Sequence, residues 1–266
     1  MSERYDTRAR EATPVRVRRL ELEGRRVTYR EAGAGAPVVV ASGLGLSGRF
    51  YDRNFPAFAA AGLRLIVPDL PGFGGSRGGR RGLGVAETRD FLLAFTRAVG
   101  VAGAIWVGHS IGAQAALQVA VHAPHRARGI VLVGPTGEPG SGRLLKQAWA
   151  LARESVRVPP AVVARVLSDY VRTSPLSYIG TWIRHARDRP QQRLSAVQCP
   201  ALILVGTRDP VVSADYLELL LRRLRHSRLE RIAGGTHALP RSRAAEFNSA
   251  VIAFCRELER PVGAGT

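Results

Sequence analysis

A chain of 266 residues with 45% hydrophobic and 23% charged side chains has globular composition. It is long enough to bury roughly 75% of the surface its unfolded form exposes, as one domain with a sizeable insertion or as two small domains. The formal charge of +18 comes from 39 basic residues, all arginine except Lys146. They are scattered (Arg16, Arg64, Arg97, Arg128, Arg165, Arg222, Arg256) with no nucleic-acid motif, so a solvated surface with a preference for arginine is expected and nucleic acid is not an expected partner.

Two cysteines, Cys199 and Cys255, have no zinc-type spacing and are expected as isolated buried thiols, so neither metal nor cofactor is anticipated. The start, MSERYDTRAREATPVRVRRLELEG, is charged and lacks an apolar leader core. No run is long enough to span a bilayer, and a soluble cytoplasmic protein is expected.

In chain order, residues 15–22 and 25–31 alternate around Glu23-Gly24 and predict a β-hairpin. Pro37–Ala41 is a short continuous apolar run, as in a strand buried on both faces. A helix over 54–61 stops at Gly62, and a strand over 63–67 ends at Pro68. Helical spacing over 85–99 stops at Gly100. Residues 104–107 predict a strand, 111–122 a helix, 129–133 a strand, 201–205 a strand, 214–224 a helix, 229–233 the last strand and 241–258 the last helix. This alternation implies an α/β fold: a mostly parallel sheet with helices on both faces. Residues 136–198 break the rhythm. They carry helix-like stretches at 143–153, 160–170 and 175–187 and no strand, which predicts a helical cap inserted into a core made of 1–135 and 199–266.

Trp106-Val107-Gly108-His109-Ser110-Ile111-Gly112-Ala113 runs from a strand straight into a helix. A serine hydroxyl is a weak nucleophile unless its oxygen is exposed and a base takes its proton. A sharp strand-to-helix turn exposes the oxygen, and glycines two before and two after relieve the crowding. The helix beginning at Ile111 also directs free amides toward the serine.

GHSIGA, with PDLPGFGGS upstream and GTRDPVV and GGTHALP downstream, resembles the α/β-hydrolase family from about Val27 to Leu258. The resemblance implies an eight-stranded, mostly parallel sheet and a triad in the order serine, acid, histidine. It places the base at His237 and the acid at Asp209, with Glu138 as the alternative acid, and expects His109 to point away from Ser110. The oxyanion donors it implies are the backbone amides of Ile111 and Leu44. Relatives usually carry His-Gly in the loop after the third strand. This chain has Ser42-Gly43-Leu44-Gly45, which removes the histidine that braces that loop. Asp69, in the PDLPGFGGS loop, reads as structural.

Phe50, Trp149, Tyr178 and Trp182, with Tyr170, are candidates for an apolar substrate pocket or for the cap's own core. The expected activity is hydrolysis of a carboxylic ester of a small or medium apolar molecule. Thioester, lactone and C–C cleavage remain open on the same residues, and a non-catalytic small-molecule binder is the alternative from another class.

Overall fold

The computed structural model describes residues 14–78, 81–138 and 160–259. Eight strands form one sheet: β1 Arg16–Leu22, β2 Arg25–Ala32, β3 Ala36–Ala41, β4 Leu63–Pro68, β5 Ala104–His109, β6 Ala127–Val133, β7 Ala201–Gly206 and β8 Ser227–Ile232. Their order is β1-β2-β4-β3-β5-β6-β7-β8. The β1/β2 hairpin and the β2/β4 pair are antiparallel, and the remaining pairs are parallel.

The helices are α1 Phe55–Ala60, α2 Val85–Ala98, α3 Ile111–His122, α4 Pro160–Tyr170, α5 Pro175–Ala186, α6 Ala214–Arg223, α7 Leu239–Ser242 and α8 Ala244–Glu259. Strand residues alternate between two cores because successive side chains leave opposite faces of the sheet. Val39, Trp106, Ile130, Leu132 and Ile203 join Leu92 and Phe95 of α2, Ala113–Ala120 of α3 and Leu220 of α6. Val38, Val40, Val107, Val131 and Leu204 join Phe55 and Phe58 of α1 and Phe247, Val251 and Phe254 of α8. Being covered on both faces, β5 and β7 are buried at every residue, so the central strands read as unbroken apolar runs.

The single helix predicted over 241–258 is two helices. The backbone leaves helical geometry at Arg243, with φ −136° and ψ 56°. The apolar pattern hides this break because Leu239, Phe247 and Val251 all pack into the same core. Between β6 and β7, the described residues contain α4, α5 and two short 3-10 turns and no strand. The helix predicted over 143–153 lies outside the described residues. Cys199 and Cys255 are free thiols.

The chain order reverses direction across the sheet at β3 and β5. Loops beyond the carboxyl ends of strands at such a point part to leave a crevice. The loops after β3, β5, β6, β7 and β8 all end there, and they carry the candidate site.

Candidate active site

The site is built on Ser110, which caps α3 at φ 56° and ψ −117°, a left-handed backbone that a non-glycine residue adopts only under constraint. Two glycines make the turn possible. A Cβ on Gly108 would overlap Ala113 and the Gly112 carbonyl, and a Cβ on Gly112 would overlap the Ala41 carbonyl of β3. The Ser110 amide donates to Val133 O of β6 at 2.8 Å, so the strained turn is held by the neighbouring strand. Ile111 is the first residue of α3, so its amide is among those a helix start leaves without an intrahelical acceptor.

The loops after β7 and β8 are fastened to each other. Thr207 N donates to Ile232 O at 3.0 Å, Arg208 N to Gly235 O at 2.8 Å and Gly234 N to Thr207 Oγ1 at 2.9 Å. A Cβ on Gly206 would overlap the Gly235 backbone, so the close approach of the two loops needs glycine at 206. This close approach brings Asp209 and His237 together. His237 Nδ1 is 2.9 Å from Asp209 Oδ2, and His237 Nε2 is 3.0 Å from Ser110 Oγ. Because the carboxylate can only accept, Nδ1 carries the proton and Nε2 faces the hydroxyl as an acceptor. Asp209 Oδ1 takes the Val211 amide at 2.8 Å. Burial alone would raise the Asp209 carboxyl, but the His237 ring and the Val211 amide outweigh it and hold it below the usual carboxylate range.

Glu138, the alternative acid, is engaged elsewhere: its Oε1 accepts from Ser213 Oγ at 2.7 Å. Gly134, which no motif singled out, lies beneath the paired side chains of Asp209 and His237. Its φ is +50°, and a Cβ there would stand 3.0 Å from both Asp209 Oδ2 and His237 Nδ1. A glycine just past a strand end was the only signal in the sequence.

The loop after β3 lies against the elbow. A Cβ on Gly43 would be 3.5 Å from Ser110 Cβ and 3.3 Å from His109 Nδ1. Leu44 follows in a turn closed by Leu46 N donating to Gly43 O at 3.1 Å. Ser42 is fully buried, and its hydroxyl lies near Tyr51 without a hydrogen bond of good geometry.

Asp69 ties two loops together, accepting the Gly48 amide at 2.7 Å and the Gly75 amide at 2.8 Å. Burial nevertheless pushes its carboxyl up to about 6. His109 faces away from Ser110, as the resemblance implied. Its Nδ1 is 3.2 Å from the Tyr51 hydroxyl and its Nε2 is 2.9 Å from the His237 carbonyl. Phe50 is 1% exposed, and its ring stacks on His109 with centroids 5.7 Å apart.

Helix α4 and the residues that join it to α5 are fastened to the loop at 45–47, which α5 also borders. Asp169 of α4, fully buried, accepts from Ser47 N at 3.1 Å and Ser47 Oγ at 2.8 Å. Thr173 Oγ1 donates to Gly45 O at 3.2 Å. The rings of Tyr170 and Tyr178 meet edge to face at 5.1 Å, and both border Gly45. Trp182 is half-buried on α5, and Trp149 lies outside the described residues. Among the described residues there is no group of three or more His, Cys, Asp or Glu side chains suited to a metal, and no helix long and apolar enough to cross a membrane.

A strained serine at a strand–helix turn, with an acid and a histidine delivered by the last two strand loops of a mostly parallel sheet, defines a class of protein. The chain belongs to the Alpha/beta hydrolase family, whose family model matches residues 38–250. It is 28% identical over 258 residues to the dihydrolipoyllysine-residue acetyltransferase component of the acetoin cleaving system of Pseudomonas putida, covering 89% of this chain and 68% of that one. It is 27% identical over 269 residues to the 2-hydroxy-6-oxononadienedioate/2-hydroxy-6-oxononatrienedioate hydrolase of Burkholderia vietnamiensis, covering 87% of this chain and 91% of that one. Among solved structures it resembles the enol-lactonase from Burkholderia xenovorans, with a TM-score of 0.79 at 19% identity, over 90% of this chain and 100% of that one.

Proposed function

We propose that the chain is a serine hydrolase that cleaves a carboxylic ester of a small or medium apolar substrate through an acyl-enzyme. The observation that carries this reading is the unbroken contact chain from Asp209 through His237 to Ser110, at 2.9 and 3.0 Å, on a strained turn. In the proposed mechanism Ser110 Oγ attacks the ester carbonyl while His237 Nε2 takes its proton. The Asp209 carboxylate holds the ring in the required tautomer and stabilises the imidazolium. The amides of Leu44 and Ile111 receive the oxyanion. His237 then protonates the departing alkoxide, and a water activated by the same ring releases the acid and restores Ser110. No metal or cofactor enters these steps.

Residues 136–198 act in this reading as a cap over the site. The hydrogen bonds from Asp169 and Thr173 to the loop at 45–47 support that role. Tyr170, Tyr178 and Trp182 would then form the apolar wall that receives the acyl group.

The same three side chains can also cleave a C–C bond next to a carbonyl. The similarity to the Burkholderia vietnamiensis hydrolase favours including vinylogous diketones among the substrates tested. The test is a panel of chromogenic esters of increasing acyl length, lactones, thioesters and vinylogous diketones, run on wild type and Ser110→Ala. The expected result is ester turnover and fluorophosphonate labelling by wild type, both lost in Ser110→Ala. Undiminished ester turnover by Ser110→Ala refutes the mechanism. A folded wild type that neither turns over nor labels indicates a small-molecule binder on the same fold.

A further inference from the structure

The proposed chemistry uses Ser110, His237 and Asp209 and leaves a buried histidine beside the nucleophile without a role. His109 is 2% exposed at the end of β5. Its Nε2 lies 2.9 Å from the His237 carbonyl oxygen, which can only accept, so Nε2 carries the proton and donates. Burial, reinforced by the neighbouring His237, pushes the His109 ring down to about 4, so at neutral pH it has a single N–H. Nδ1 is then a bare acceptor, and the Tyr51 hydroxyl 3.2 Å away must donate to it. The oxyanion loop packs against the same groups: a Cβ on Gly43 would stand 3.3 Å from His109 Nδ1, and the Ser42 hydroxyl lies near Tyr51. Each proton in this line is therefore assigned by elimination. Tyr51 donates to His109, and His109 donates to the backbone of His237, with Gly43 of the oxyanion loop packed against the His109 ring. The stacked Phe50 ring and the Tyr51 edge hold the imidazole in plane.

We propose that Tyr51 and His109 are positioning residues that join the oxyanion loop to the backbone of the base, supplying the brace that the loop lacks with Ser42 in place of histidine. The buried Ser42 hydroxyl lies near Tyr51 but makes no hydrogen bond of good geometry. Tyr51, reaching in from the 3-10 turn Gly48–Tyr51, supplies the brace instead. Anchoring the His237 carbonyl fixes the ring between Asp209 and Ser110. This inference rests on the triad assignment, and its test separates the two.

The test uses the full chain with Tyr51→Phe, His109→Ala, His109→Gln and Ser110→Ala. kcat and KM are measured on a short-chain chromogenic ester across the pH range, and folding is checked by thermal melting. His109→Ala is expected to lower kcat by about 10- to 100-fold, the scale of a misplaced catalytic group, with little change in KM. The acidic limb of its kcat/KM profile should move to lower pH, because a slackened Asp209 contact stabilises the imidazolium less. His109→Gln, whose side-chain amide can donate to the same carbonyl, should recover part of the loss. Tyr51→Phe should reduce kcat in the same direction, by less. Should His109→Ala fail to fold, Tyr51→Phe decides the matter. Wild-type kcat and pH profile in folded Tyr51→Phe, and in His109→Ala where it folds, overturn the positioning role, provided Ser110→Ala is inactive. Undiminished turnover in Ser110→Ala instead overturns the triad beneath it.

Discussion

Gly134→Ala tests the site where sequence is least informative. The added methyl would stand 3.0 Å from Asp209 Oδ2 and 3.0 Å from His237 Nδ1, the two atoms of a 2.9 Å hydrogen bond. Ordinary carbon contacts begin near 3.5 Å, so each partner must retreat by several tenths of an ångström and in different directions. The bond that orients the His237 ring lengthens, and Nε2 swings off the 3.0 Å line to Ser110. Misplacement on that scale predicts a kcat loss of about 10- to 100-fold with little change in KM. The backbone adds a separate cost, because φ of +50° disfavours any side chain by about 1–2 kcal/mol. For a chain of this size that corresponds to a fall in Tm of roughly 2–8 °C. Ester turnover and the rate of fluorophosphonate labelling measure the first effect, and a thermal melt the second. A folded Gly134→Ala with kcat within twofold of wild type would refute the claim that this glycine makes room for the acid–base pair.

Asp169→Ala removes the buried carboxylate that accepts both Ser47 N and Ser47 Oγ. Loss of charge-assisted bonds at a site closed to water predicts about 2–4 kcal/mol of destabilisation and faster proteolysis near α4. Equal stability and protease resistance would show that α4 is held by other contacts. A second prediction concerns acid. His109 and His185 are buried with their rings pushed down to about 4 and about 3, mainly by desolvation, against 6.5 when exposed. Between pH 6.5 and those values the unfolded chain binds protons that the folded chain refuses. The contribution of these two histidines is therefore complete above pH 6.5 and falls by about 1.4 kcal/mol per histidine for each pH unit below it, while Asp69, its carboxyl pushed up to about 6, shifts stability the opposite way. Chemical unfolding at pH 7 and pH 5 should show the loss, and His185→Gln should lessen it by one histidine's share. An unchanged pH dependence in that variant refutes the assignment to His185.

Much of the sheet and the nucleophile turn was legible from short-range signals. β5 and β7 are unbroken apolar runs because helices cover both faces. In Gly108-His109-Ser110-Ile111-Gly112 the constraint on Gly108 is local, against the helix start at Gly112 and Ala113, whereas Gly112 is needed because the Ala41 carbonyl of β3 lies against it. Asp209 and His237 were located by motif order alone, since nothing local brings two loops together. Leu239 and Phe247 share a core, so periodicity merged α7 and α8 into one helix.

Apolar period, strand ends and the strand-to-helix turn at Gly108 are thus properties of the chain itself, because each depends on neighbours within a turn or two. The convergence of Ser110, Asp209 and His237 belongs to the tertiary structure. Gly206 meeting Gly235 is what sets Asp209 against His237. The ring of His237 reaches Ser110 across a separation of 127 residues, and its carbonyl reaches His109 across 128. Contacts at such separations arise when the sheet stacks its strand ends in one place, and no local pattern in the sequence records which side chains will then touch.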